Sequence, residues 1–144
     1  MIDVREIGIR EEIFTHIPDD GGPQITYAVT RMMLHCGLPD SGVEKFIVPV
    51  DEEHAKYCLA QRGVEQHRLD RLAEPWLWLP LLFIAQPDSS HLLADGTHRY
   101  VRLWQMGVKE TAAFMMTWDQ AQPFIVEGVP QMDPTELRDS WSGM

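Results

Sequence analysis

Five consecutive residues, Asp95-Gly96-Thr97-His98-Arg99, combine groups that can handle a phosphate. An apolar run precedes them and an amphipathic segment follows. This order predicts a strand that ends at the turn and a helix that begins after it. Backbone N–H groups and the dipole at a helix start favour an anion. Glycine lets a ligand approach the backbone closely, and an arginine offers phosphate a permanently charged, bidentate fork. The stretch therefore predicts a phosphate site.

The side chains of this turn also suggest chemistry. Asp95 can hold a divalent cation or orient a hydroxyl group, and His98 can bond a phosphate or transfer a proton. Thr97 adds a hydroxyl, and Arg102 adds a second positive charge close by. A plainer interpretation stays open: Asp-Gly is a common turn, Thr97 can be only a helix N-cap, and Arg99 can simply pair with an acidic neighbour.

The elements that must position this turn can be read from periodicity and from turn residues. Strands are predicted at 81–85 and 91–95, a helix at 97–106 ending at Gly107, and a further strand at 110–117. Upstream, the segment 45–50 predicts a strand. Asp51 is then a suitable N-cap, and Glu52 and Glu53 lie in the first helical turn, where anions are favoured. That helix should reach about Arg62 and stop at Gly63, with a second helix at about 64–73.

The ends of the chain are less regular. Segments 7–17 and 25–33 alternate around the turn-forming residues 18–23, which predicts an N-terminal β-hairpin. A helical stripe competes with it over 25–36, formed by Ile25, Ala28, Val29, Met32, Met33 and Cys36. Near the other end, residues 133–141 predict a short helix. Taken together, the predicted strands and helices indicate one α/β (α+β) domain over 1–144, with a small mixed sheet and flanking helices.

Composition limits the function classes. The chain carries 22 acidic residues against 12 Lys and Arg, a formal charge of −10, so extended nucleic-acid binding is disfavoured. No apolar run is long enough to span a membrane, and the charged N-terminal segment does not resemble a signal peptide. We therefore expect a cytoplasmic protein without membrane contact. Cys36 and Cys58 lack metal or disulfide spacing and are expected to be buried thiols.

The stretch "LLADGTHRYVRLWQMGVKETAAFMM" resembles the signature of the ParB/sulfiredoxin superfamily. The shared features are a strand, a Gly-x-x-Arg turn (here Gly96 to Arg99), a helix, a glycine stop at Gly107 and a second strand. The order "IVPVD", two helices and "LPLLFIA" upstream also fits. The resemblance covers about residues 45–117, which leaves 1–44 as an N-terminal extension and 118–144 as a C-terminal tail.

The resemblance implies that Gly96, Thr97, His98 and Arg99 hold the phosphates of ATP or another nucleotide, with Mg²⁺. Sulfiredoxins carry a cysteine in the turn where this chain has Thr97, so their chemistry does not carry over. ParB partitioning proteins add a DNA-binding module, for which the segment after Thr117 leaves no room. In free-serine kinases of this fold, the sequence of the turn is similar to Asp-Gly-His-Thr-Arg. Small ParB-like nucleases or nucleotidases form another branch of the superfamily.

Two classes of function follow. The first is phosphoryl transfer or nucleotide or phosphodiester hydrolysis, with Asp95, His98 and Arg99 at the turn, Arg102 assisting, and Glu52 or Glu53 as base; the acceptor is a small molecule or a protein. The second is a non-catalytic, acidic protein that binds a nucleotide or a protein partner, as a regulator or a nucleic-acid mimic. The oligomeric state is left open.

Overall fold

The computed structural model describes residues 1–8, 10–18, 21–61, 64, 66 and 77–128. Its strands, in chain order, are β1 (Ile2–Asp3), β2 (Ile13–His16), β3 (Ile25–Ala28), β4 (Glu44–Pro49), β5 (Leu81–Ala85), β6 (His91–Asp95), β7 (Glu110–Met116) and β8 (Val126–Glu127). The described helices are α1 (Val29–Cys36), α2 (Glu52–Gln61), α3 (Thr97–Gln105) and α4 (Trp118–Ala121). Two short 3₁₀ segments, Val4–Glu6 and Gln122–Phe124, complete the described elements.

Contacts divide the chain into two compact units. Among the described residues, one unit comprises those of Met1–Gly42 and Trp118–Gly128, and the other those of Val43–Thr117. The second unit contains every residue assigned above to the phosphate site.

The unit Val43–Thr117 is built on a four-stranded mixed sheet in the order β4-β7-β5-β6. Strand β7 is antiparallel to β4 and parallel to β5, and β5 is antiparallel to β6. The expected small mixed sheet with flanking helices is therefore confirmed, and the fold class is α+β.

One face of this sheet forms the core of the unit. It joins strand residues such as Leu81, Phe83 and Leu93 to Tyr100 and Leu103 of α3. Alternation along β5 and β6 puts these side chains on one face because successive strand residues point to opposite sides. The turn after β6 thus lies between a buried strand and a packed helix.

The N-terminal segment resolves the competition between strand and helix at residues 25–36. Residues Ile25–Ala28 pair antiparallel with Ile13–His16, which confirms a β-hairpin, although β2 is shorter than the predicted strand 7–17. From Val29 to Cys36 the chain is helical. The last strand-like contact is the Val29 N–H, which donates to the Glu12 carbonyl at 2.9 Å.

Local signals also set the ends of the helices. The Asp51 Oδ1 accepts a hydrogen bond from the His54 N–H at 2.7 Å, which confirms Asp51 as the N-cap of α2. Gly107 follows Met106, the C-cap of α3, and has a φ of +80°, the left-handed conformation expected of a C-terminal stop. The predicted stop at 62–63 and the predicted helix at 133–141 lie outside the described residues, as does most of the predicted helix at 64–73.

Both cysteines are free and buried, as expected. Burial raises the pKa of the Cys36 thiol to about 11. Among the helices of the described residues, none has the length and apolar character that crossing a membrane requires.

Candidate functional site

The turn after β6 depends on the left-handed backbone of Gly96. Its φ and ψ are 100° and 17°, a conformation that side-chain-bearing residues rarely adopt. A Cβ at this position would also lie 2.6 Å from the Leu81 Cδ2 and 3.0 Å from the Arg99 Nη2. Glycine is therefore required here both for backbone conformation and for space.

This turn leaves the start of α3 without a capping side chain. Gly96 is the N-cap residue, and it has no side chain to accept a bond from the first N–H groups. The Tyr100 N–H donates to the Gly96 carbonyl at 2.7 Å, so the intrahelical bonds begin there. The first turn of a helix that starts in this way carries partial positive charge. Thr97 is the first helical residue and not the cap that the plainer interpretation assigned to it.

Arg99 folds back across the turn. Its Nη2 donates to the Pro80 carbonyl at 3.1 Å and to the Asp95 Oδ2 at 3.3 Å. The two side chains are largely buried, with 13% of Arg99 and 16% of Asp95 exposed. The Arg99 Nε is buried and has no hydrogen-bond partner among the described residues.

This arrangement gives Arg99 a structural role that the sequence left open. Because Asp95 and Arg99 are four residues apart, the pair ties the end of β6 to the first turn of α3. The Pro80 carbonyl extends the link to the start of β5. An anion that binds the Arg99 guanidinium would either share this group with Asp95 or displace the Asp95 carboxylate from it.

The other predicted turn residues are not equally placed. Thr97 and His98 are half-buried in the first turn of α3, beside its N-terminus. Arg102 lies in the last turn of the helix. At a rise of about 1.5 Å per residue it is roughly 7 Å further along the axis than Thr97, so the fold does not bring its backbone to the turn.

Tyr100 connects α3 to the start of α2, a link that the sequence analysis did not identify. Its buried hydroxyl accepts from the Asp51 N–H at 2.9 Å and donates to the Pro49 carbonyl at 3.2 Å. The ring also lies against the His54 ring, with centroids 4.7 Å apart. Burial raises the pKa of Tyr100, so the phenol stays protonated near neutral pH. A tyrosine on the buried face of a helix gave no sequence signal of this polar role.

The two candidate bases occupy the first turn of α2. The Glu52 Oε1 lies 3.0 Å from the Lys56 Nζ, and both side chains are 64% exposed. Glu53 is exposed as well. Tyr100 therefore joins the backbone of their helix start to α3, while the Glu52 carboxylate is engaged on the surface.

Asp95 is the candidate metal ligand at this turn. The described residues contain no group of three or more His, Cys, Asp or Glu side chains arranged for a metal. Mg²⁺ usually keeps several waters and takes one or two carboxylates together with substrate phosphates. Asp95 alone fits that pattern as a single protein ligand.

Comparison of this chain with models of known protein families, with curated proteins and with solved structures finds no match. The site is therefore interpreted from its own geometry.

Proposed function

We propose that this protein binds the phosphates of a nucleotide at the Asp95–Arg99 turn and carries out phosphoryl transfer or hydrolysis there. The observation that carries the proposal is the start of α3, where a left-handed Gly96 leaves the first helical turn without a capping side chain. A helix start of this kind is a ready site for an anion. The resemblance to the ParB/sulfiredoxin superfamily supports a nucleotide as the source of that anion.

The charge of the turn sets a requirement on the ligand. Asp95 and Arg99 neutralise each other, so the helix N-terminus supplies the remaining positive potential. Mg²⁺ held by Asp95 would add charge that offsets the phosphates and stabilises the developing negative charge of the reaction. With Asp95 facing the metal, the Arg99 Nη2 donor that Asp95 now shares would become available to a phosphate oxygen.

In this scheme catalysis is mostly positioning and electrostatics, so few residues are needed. The α3 amides and Arg99 bind phosphate oxygens, and His98 assists in proton transfer. Glu52 or Glu53 serves as the base for an acceptor hydroxyl. The start of their helix is held near α3 by the bonds of the Tyr100 hydroxyl to Asp51 and Pro49.

Binding is tested by thermal shift and calorimetry with ATP, ADP, CTP and GTP, each with and without Mg²⁺. A ligand at a hundredfold excess over its Kd stabilises by about 2.7 kcal/mol. Asp95→Asn keeps an oxygen for Arg99 but removes the negative charge. We therefore expect it to tighten binding of the metal-free nucleotide and to weaken the gain from Mg²⁺.

The matched control is Asp88→Asn, which makes the same charge change in the β5–β6 turn, where Asp88 accepts bonds from Ser90. Both affinities should stay at the wild-type value in this variant. A nucleotide panel that shows no shift, or an Asp95→Asn protein that matches the Asp88→Asn control, would contradict binding at this turn.

A second candidate function is a non-catalytic adaptor that uses its acidic surface. The observation in its favour is the bonding of Arg99 to Asp95 and to the Pro80 carbonyl, which explains this arginine without a substrate. An enzyme should turn over ATP or CTP with Mg²⁺ and lose turnover in Arg99→Ala that remains folded by circular dichroism. An adaptor should show no turnover and retain its partner in that variant.

A further inference from the structure

Strand β4 is an exposed edge with apolar side chains on both of its faces. It pairs only with β7 in the described sheet. Phe46 is 43% exposed and the adjacent Ile47 is 66% exposed. An edge of this kind presents unpaired backbone groups together with apolar surface, which favours pairing with another strand.

The backbone of β4 shows which residues face outward. The Val50 N–H donates to the Lys109 carbonyl at 2.9 Å, and these residues continue the pairing of Pro49 with Glu110. Hydrogen-bonded pairs alternate in an antiparallel ladder, so the even-numbered residues bond to β7. The N–H and carbonyl groups of Lys45 and Ile47 therefore point away from β7, whereas the Pro49 carbonyl already accepts from the Tyr100 hydroxyl.

Two residues that commonly protect edges are present but do not block this one. Lysine at an edge usually discourages pairing, yet the Lys45 Nζ lies over the Phe114 ring of the neighbouring β7, 5.8 Å from its centroid. The charge is thus directed back onto its own sheet. Pro49, which has no N–H, is the last residue of the strand. The segment between them remains available.

We infer that β4 pairs antiparallel with β4 of a second copy of this chain, around a two-fold axis through Phe46. In this register Lys45 lies opposite Ile47 of the other copy, and each outward N–H meets an outward carbonyl. Phe46 lies opposite its own copy, and aromatic pairs at such positions stabilise sheets. Pro49 lies opposite Val43 at the end of the ladder, so its missing N–H does not interrupt the bonds between Lys45 and Ile47.

Charge and donors disfavour the neighbouring registers. Centring the pair on Lys45 would oppose two lysines directly, which is destabilising. Centring it on Ile47 would place Lys45 opposite Pro49, where its carbonyl finds no donor. The register through Phe46 opposes no like charges, since Glu44 then faces Val48. Repulsion between two chains of charge −10 acts over a longer range and is screened by salt.

The test measures the mass of the full chain by sedimentation velocity over a wide concentration range. We expect a concentration-dependent dimer whose dissociation constant falls as salt is added. Phe46→Lys should be monomeric because it opposes two charges on the axis. The control Leu34→Lys changes a residue that is 70% exposed on α1 and should dimerise as the wild type does.

Cysteine cross-linking tests the register even if Phe46→Lys fails to fold. Residues opposed in a non-hydrogen-bonded pair have Cα atoms about 4.5 Å apart, within disulfide range. Under mild oxidation with diamide, Phe46→Cys should give covalent dimers because the two new thiols face each other on the axis. Ile47→Cys should not, because Ile47 lies opposite Lys45 of the other copy. The native thiols are buried and should not contribute. A wild type that stays monomeric, a folded Phe46→Lys that stays dimeric, or equal cross-linking of the two cysteine variants would overturn the inference.

Discussion

Replacing Gly96 with alanine probes the turn on which the candidate site depends. The matched control is Gly107→Ala at the other end of α3. Both glycines have positive φ, 100° and 80°, so alanine at either position carries a backbone cost of about 1–2 kcal/mol. They differ in space: a Cβ at Gly107 meets nothing within 4 Å, whereas one at Gly96 would lie 2.6 Å from the Leu81 Cδ2.

The difference between the two variants isolates the packing of the turn. Leu81 is fully buried, so its side chain has little room to move. The Arg99 Nη2 would lie 3.0 Å from the new Cβ and would have to shift from its bonds to Asp95 and Pro80. Overpacking of this kind costs about 1–3 kcal/mol. We therefore expect Gly96→Ala to lose about 2–5 kcal/mol and Gly107→Ala about 1–2 kcal/mol.

Urea denaturation followed by circular dichroism gives the free energy of unfolding of each variant. Thermal melts should show the same order, at roughly 3 °C per kcal/mol for a chain of this length. Equal destabilisation of the two variants, to within about 0.5 kcal/mol, would refute the close packing described for the turn. If alanine at position 96 is tolerated as well as alanine at position 107, the start of α3 is held less rigidly than the proposed phosphate site requires.

Three further predictions concern buried polar groups. Tyr100→Phe should lower the free energy of unfolding by about 1–3 kcal/mol because two backbone groups lose their partner. Tyr27→Phe should be neutral or stabilising, since the Tyr27 hydroxyl is buried without a partner among the described residues. Urea denaturation measures the free energy of unfolding of both variants. Burial raises the pKa of Glu11 above its unfolded value, so its contribution to stability is present at low pH and lost as pH rises through the folded pKa; Glu11→Gln should remove that dependence in a pH series of unfolding free energies. Finally, Cys36 and Cys58 should not react with a thiol reagent until the protein is denatured, because the thiolate is the reactive form and both thiols are buried.

Much of the unit Val43–Thr117 was predictable because its signals are local. Strands β5 and β6 and helix α3 lie within a residue or so of where hydrophobic period and turn residues put them. Asp51 and Gly107 mark helix ends through capping geometry that involves only a few neighbours. In such cases the information needed lies within one turn of chain.

Residues 25–36 show where local information was insufficient. Their apolar positions satisfy a strand and a helix equally, and the outcome depends on β2, which supplies partners for Ile25–Ala28. Beyond Ala28 the segment is a helix, which satisfies its own backbone bonds. A partner at a distance in sequence, and not propensity, decided the boundary.

The chemistry-bearing residues show the same division. The sequence by itself determined that Asp95, Gly96 and Arg99 lie at a strand-to-helix turn, because spacing and residue type set backbone conformation locally. Only the tertiary structure decided that Arg99 bonds to the Pro80 carbonyl and that the Tyr100 hydroxyl bridges Pro49 and Asp51. Long side chains choose partners by what the fold brings within about 3 Å, and sheet order and helix packing set that proximity.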